Sequence, residues 1–235
     1  MVNNLIHPFL LLLFLFAGMS SGQAQFTFDH GNYQKGRGFV TDVTGRKPDD
    51  ANYDRVTEGS PWWHDFFMPA DLADGKGGVY KNIPVKIDLL ADKVFYKDSA
   101  GALFELLTPI KYLRAYPPAG NDTLKLVHTS YYPNNHDRSI TGWMQLQVLG
   151  EAVLLQDLNK VMNENKAFSS AVADYTISNQ LNWVVALNGQ LYKIKKMKEL
   201  QQLLAQRKPA MQQYTVKQKG FDAQVVELVT AFNRM

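Results

Sequence analysis

An α+β fold is what this sequence predicts: a mostly antiparallel β-sheet, curled towards a barrel or a sandwich, with C-terminal amphipathic helices packed on it. Three observations carry that expectation. Short apolar segments closed by turns recur from Ile83 to Ile194. An Asn-Gly pair joins two of them. After Lys195 the apolar spacing changes from the strand period of two to the period of a helix.

The chain opens on Leu5 to Ala17, nearly all apolar, and then breaks into the small residues Gly18 to Gly22. A bilayer-spanning helix needs roughly 20 apolar residues to cross about 30 Å of hydrocarbon, and this run is shorter. It is expected to be a cleaved signal peptide, residues 1–24, with Gly22 and Ala24 at the −3 and −1 positions and the cut between Ala24 and Gln25. The segment before it departs from the usual pattern, since Met1 to His7 contains no Lys or Arg. Residues 25–60, rich in Gly, Asp and Asn, are expected to form an extended or partly disordered arm.

The β-rich domain is expected over residues 61–195. Ile83, Val85, Ile87 and Leu89 alternate with polar residues and Pro84, which makes no ladder bond, so this strand is expected at an edge or to begin there. Further strands follow at Lys93–Lys97, Ala102–Leu107, Ile110–Tyr116, Thr123–His128, Trp143–Leu149 and Ala152–Gln156. Residues 158–173 are read as a polar loop with a short helix. Trp183–Leu187 and Gln190–Ile194 form a hairpin whose Asn188-Gly189 turn needs positive φ at both residues. The helices fill residues 196–235. Met197, Leu200, Leu203 and Leu204 share one face, and Pro209 suits the start of a second helix to about Val216. Asp222 is placed as N-cap of the last, with a staple between Phe221 and Val226.

With 46% apolar and 20% charged residues, the chain has an ordinary globular composition. It has no cysteine, which excludes a lipidated N-terminal Cys, disulfides and thiolate metal sites. The net charge of +3 is uneven: residues 193–219 carry eight basic residues (Lys193, Lys195, Lys196, Lys198, Arg207, Lys208, Lys217, Lys219) against one acid, Glu199. Such a segment suits a polyanionic surface, or is simply a solvated face. With only Tyr192 and Tyr214 for stacking, no nucleic-acid partner is expected. Beyond the leader no stretch is apolar enough to span a bilayer, so none is expected in the mature chain.

Candidate chemistry is sparse. The histidines are His7, His30, His64, His128 and His136, and no two have the helical spacing of a zinc pair. His64-Asp65 and His136-Asp137 are the pairs from which an acid–base site would be assembled. No G-x-S-x-G elbow, EF-hand loop or P-loop occurs, so no catalytic residue, metal or cofactor is implied. The conspicuous feature is Trp62-Trp63-His64-Asp65-Phe66-Phe67. The rings of Trp62, Trp63, Phe66 and Phe67 are either a platform for a sugar or an apolar partner, or an anchor tying the arm to the sheet.

The order of SPWWHDFF, a glycine loop, NIPVKIDLLADKVFYKDSAG, GWMQLQVLGEAVLLQD, LYKIKKMKELQQLL and a closing helix ending FNRM resembles a group of exported proteins of Bacteroidota. Those are β-rich domains with a basic helical tail. The resemblance covers about 61–235, implies export and this architecture, and confers no functional residue, because the group has no assigned activity. The function expected is therefore a non-enzymatic binding or scaffolding role in the cell envelope, periplasm or cell surface, with an envelope protein or polyanionic surface as partner. Two alternatives stand beside it: a hydrolase with loop-borne Asp and His, and a carrier of a small apolar or sugar ligand inside the sheet.

Overall fold

Among the residues that the computed structural model describes (45–46, 53–118, 123–165 and 173–235), twelve strands join one sheet. The leader, the Ala24–Gln25 position and most of the 25–60 arm lie outside the described residues. The strands are β1 (Gly45–Arg46), β2 (Val56–Glu58), β3 (Met68–Asp74), β4 (Val79–Asp88), β5 (Lys93–Lys97), β6 (Leu103–Leu106) and β7 (Ile110–Ala115). Then come β8 (Leu124–His128), β9 (Trp143–Val148), β10 (Ala152–Asn165), β11 (Asp174–Leu187) and β12 (Gln190–Ile194). They lie in the order β1-β6-β5-β4-β3-β7-β8-β9-β10-β11-β12, all antiparallel, while the short β2 runs parallel to β11. Two helices follow, α1 (Met197–Arg207) and α2 (Phe221–Arg234), so the α+β architecture is as the sequence predicts.

Residues directly opposite across antiparallel strands share a face. Leu113, Leu126, Gln145, Gln156, Trp183 and Ile194 are matched in register across six strands. The leucines belong to one core, built on β3 to β9 around Met68, Leu72, Val85 and Ile87. Trp183 and Ile194 belong to a second, closed by Leu200 and Leu204 of α1 and by Val225, Leu228, Val229 and Phe232 of α2. Half-buried Gln145 and Gln156 separate them. One sheet face thus carries two apolar cores with a polar seam. The opposite face buries Val127, Met144, Leu155, Val184 and Leu191. The loop 129–142 is tied to β12 there: Gln190 Nε2 donates to the Asn134 carbonyl (2.6 Å), and Leu191 N–H donates to Asn135 Oδ1 (3.2 Å).

Several details differ from expectation. β3 was not foreseen, because Met68–Asp74 mixes Pro69 and two aspartates with its buried Met68, Ala70 and Leu72. β4 is an inner strand, paired on both sides. Pro84 is tolerated because it faces Pro69 across β3, whose carbonyl turns away to accept from Tyr116 N–H (2.8 Å). The ladder to β5 begins only at Val85. Residues 158–165 continue β10 and are not a loop, since Leu158 to Asn165 stay in register with β11. The polar composition that suggested a loop reflects exposure: 161–165 are all exposed on this ribbon. The Asn188-Gly189 turn is as predicted, with φ of 53° and 76°.

At the C-terminus, Pro209–Gln213 is a 3₁₀ turn and not a longer helix; only Met211 is buried on it. Gly220, with φ 85°, turns the chain so that α2 starts at Phe221 and Asp222 lies in its first turn instead of capping it. The expected staple leaves Phe221 and Val226 37% and 36% exposed. At its other end α2 is latched by Asn233, whose side chain accepts from Ala152 N–H (2.9 Å) and donates to Ala152 O (2.8 Å). Any side chain on Gly150 would collide with that amide.

Candidate functional site

The aromatic segment is pinned by its backbone. Trp63 N–H donates to Ile87 O (2.8 Å), Leu89 N–H donates to Pro61 O (2.9 Å), and Trp62 bridges to Asp88. From β10, Lys160 Nζ donates to the carbonyls of Ser60 (2.6 Å) and Trp62 (2.7 Å). The Trp62 ring meets Phe95 edge-on at 5.4 Å beneath the Lys86 ammonium, and Trp63 packs on the first core. Lys97 covers Phe67, while Phe66 is 47% exposed. The segment is anchored at one end of β4, but its rings diverge, Trp62 to the Lys86–Phe95 face and Trp63 to the first core, and the geometry is that of a clamp.

The expected histidine pairs do not assemble. Asp65 accepts from Ser60 Oγ (2.6 Å), and the His64 ring lies between Trp63 and Phe66. Burial is the main cause pushing His64 below its ordinary pKa, opposed by Asp65. His136 is exposed, and Asp137 spends its carboxylate on Ser139, whose N–H and Oγ–H hold it below the ordinary aspartate pKa.

A different histidine has a carboxylate. His128, at the end of β8, sits 3.0 Å through Nε2 from Asp92 Oδ2 and 2.8 Å through Nδ1 from Ser130 Oγ. Asp92 is set at φ 53° in the β4–β5 turn, which buried Asp88 organises by accepting from Leu90 N–H, Ala91 N–H and Tyr53 O–H. Thirty-six residues separate His128 from Asp92, so no local spacing announces the pair. Ser130 N–H also points at Nδ1 (3.2 Å), making that nitrogen the acceptor and placing the ring proton towards Asp92. Among the described residues no group of three or more His, Asp or Glu is placed to hold a metal ion.

Concavity is found elsewhere. A surface groove of about 560 Å³ runs along α2, between the helix and the strap 214–220. Trp183, Ala223, Val226, Thr230 and Ala231 give it an apolar lining. The same helix packs Val225, Leu228, Val229 and Phe232, all fully buried, into the second core. At 100° per residue Val226 and Thr230 fall on the flank away from that stripe, so α2 has two apolar sides and only one is covered by the sheet. Leu181, 57% exposed, lies on the Trp183 face of β11 two residues away. The strap is held in place: Gln201 Nε2 donates to the carbonyls of Met211 (2.9 Å) and Tyr214 (3.0 Å).

The groove's polar groups are largely engaged. Trp183 Nε1–H donates to Asp222 Oδ1 (2.6 Å). Glu227 accepts from Tyr214 O–H (3.0 Å), Lys217 N–H (3.0 Å) and Gln218 N–H (2.7 Å). The backbone N–H groups, that of Gln218 first, hold the Glu227 carboxyl below its ordinary pKa. Arg234 lines the far end. In sequence these residues looked like a basic tail followed by an amphipathic helix; only the fold shows that the tail's strap walls a trough.

Comparison with protein-family models, with curated proteins and with solved structures finds no match. The residues themselves must carry the argument. Of the basic segment, Arg207 and Lys208 turn inward to Glu151 (3.1 and 3.0 Å), and Lys208 also donates to Phe232 O. A continuous basic face is therefore broken. Among the described residues no helix is long and apolar enough to cross a membrane.

Proposed function

We propose that this chain is an exported, non-enzymatic binding module of a bacterial cell envelope, and that the groove along α2 is its binding surface. One observation carries this: an apolar trough of about 560 Å³, within the size range of ligand sites (roughly 300–1,000 Å³), bordered by Trp183 and Tyr214 at the margin of the second core and otherwise lined by Ala223, Val226, Thr230 and Ala231, which belong to neither core. Export is supported by the short apolar leader, and a place among the exported β-rich proteins of Bacteroidota by the motifs quoted above. The carrier alternative moves from the sheet interior to this surface. Full-length protein titrated with the neutral fluorophore N-phenyl-1-naphthylamine should bind it saturably, and Val226→Glu should abolish binding while leaving the circular dichroism unchanged. A linear, non-saturating titration would overturn the reading. Export is tested separately: N-terminal sequencing of the envelope fraction should begin at Gln25.

The hydrolase alternative is favoured by the Ser130–His128–Asp92 chain, which has the polarity of a proton relay. It ranks second because the Ser130 N–H already shares Nδ1, and Asp92 is 44% exposed at its side chain. Fluorophosphonate labelling of Ser130, lost in His128→Gln, would promote it.

A further inference from the structure

Charge around the α2 groove is sorted, and the sorting points to a ligand. Its two carboxylates are occupied by donors of this chain: Asp222 by the Trp183 indole, Glu227 by a tyrosine hydroxyl and two backbone N–H groups. Among the described residues no side-chain hydrogen bond or ion pair holds the cations: Arg234 lines the groove and is exposed, and Lys217, whose charge acts on Glu227, and Lys219 stand exposed on the strap that forms its wall. The middle is apolar, from Trp183 and Ala223 through Val226 to Ala231. An apolar bed with guanidinium and ammonium groups at its margin matches a molecule with a hydrocarbon chain and one anionic end. Carboxylate and guanidinium pair in a planar, two-bond fit, which makes Arg234 the better head-group partner.

We infer that the groove takes a single-chain anionic amphiphile, a fatty-acid-like molecule, with its tail along α2 and its head at Arg234 and Lys217. This rests on the groove being a binding surface, as proposed above. The tail's affinity comes from apolar area removed from water, and the head adds selectivity.

The test is displacement of N-phenyl-1-naphthylamine from full-length protein by dodecanoate, dodecanol and dodecyltrimethylammonium, each below its micelle concentration. Dodecanoate should bind about three- to tenfold more tightly than dodecanol, as expected for partly exposed ion pairs. The double variant Arg234→Gln, Lys217→Gln should erase that preference and still bind the neutral fluorophore. Equal affinity for dodecanoate and dodecanol, or preference for the cation, overturns the anionic assignment while leaving the groove a binding surface. Failure of the neutral fluorophore to bind removes the groove itself. Co-sedimentation with phosphatidylglycerol vesicles without any uptake of monomeric dodecanoate also overturns the inference, in favour of a membrane surface as the occupant.

Discussion

At the β3–β9 end of the sheet, Trp62 and Trp63 are fixed by main-chain hydrogen bonds to β4 and by Lys160 from β10. At the β10–β12 end, Trp183 and Val226 border a trough that no element of the described chain fills. Trp63 and Trp183 rest on the core face of the sheet, while Trp62 crosses to the other face against Lys86 and Phe95, and both ends display large apolar groups. They differ in what the backbone does. Where backbone N–H and C=O groups pair across the aromatic segment, ring burial stabilises the fold and leaves little for a ligand. At the groove the strap's backbone bonds to the side chains of Gln201 and Glu227 and no ladder crosses to the outer flank of α2, so the apolar surface is open. An aromatic cluster in sequence is therefore weaker evidence of a site than a helix with a second apolar flank.

Removing the second core's largest fully buried side chain should break this contrast most severely. Phe232→Ala is expected to cost about 3–5 kcal/mol, read by urea unfolding, and to abolish fluorophore binding with it. At the first end, Lys160→Ala leaves two carbonyls without their charged donor and should cost about 1–3 kcal/mol. It should also speed proteolysis around 59–67 while fluorophore binding stays unchanged; loss of binding would mean that the two ends are not independent.

The opposite face offers a smaller test. Asp157 is fully buried, accepts from Asn159 and Asn182 through Oδ2, and has no partner at Oδ1. Burial raises its pKa, so the folded state holds the proton more tightly than the unfolded chain. That contribution to stability is complete below the ordinary aspartate value, about 3.9, and is lost as pH rises through the raised one. Asp157→Asn should therefore stabilise by about 1 kcal/mol at pH 7, and the gain should vanish below about pH 4. Asp157→Asn less stable than the parent at pH 7 would contradict this. Smallest is Glu151→Gln. Lys208 and Arg207 hold Glu151 below its ordinary pKa, so its contribution is present above about pH 4.3 and lost as pH falls through the lowered value. At this partly open surface the loss should stay under about 1 kcal/mol by urea unfolding and disappear in acid.

Much of the sheet was legible because its strands announce themselves locally. Lys93–Lys97, Ile110–Ala115 and the Asn188-Gly189 hairpin each carry their own period or turn. β3 was hidden by two aspartates and a proline, and the outer half of the β10–β11 ribbon by exposure on both faces, where no apolar alternation is required. The His128–Asp92 contact and the groove were beyond sequence reasoning for a common reason. Each joins residues from elements far apart along the chain: a strand end with a β4–β5 turn, and a strap and β11 with α2. The buried stripe of α2, Val225, Leu228, Val229 and Phe232, follows the helical period in the sequence; its outer flank, Ala223, Val226 and Thr230, acquired meaning only when Trp183 and Tyr214 were placed opposite.

Carbene footprinting of the full-length protein, with and without N-phenyl-1-naphthylamine, measures directly which end is open. Protection is expected at Trp183 and across 223–231, with labelling of Trp62 to Phe67 unchanged. Protection at Trp62, Trp63, Phe66 and Phe67 with none along α2 would place the binding surface at the clamp and contradict the account.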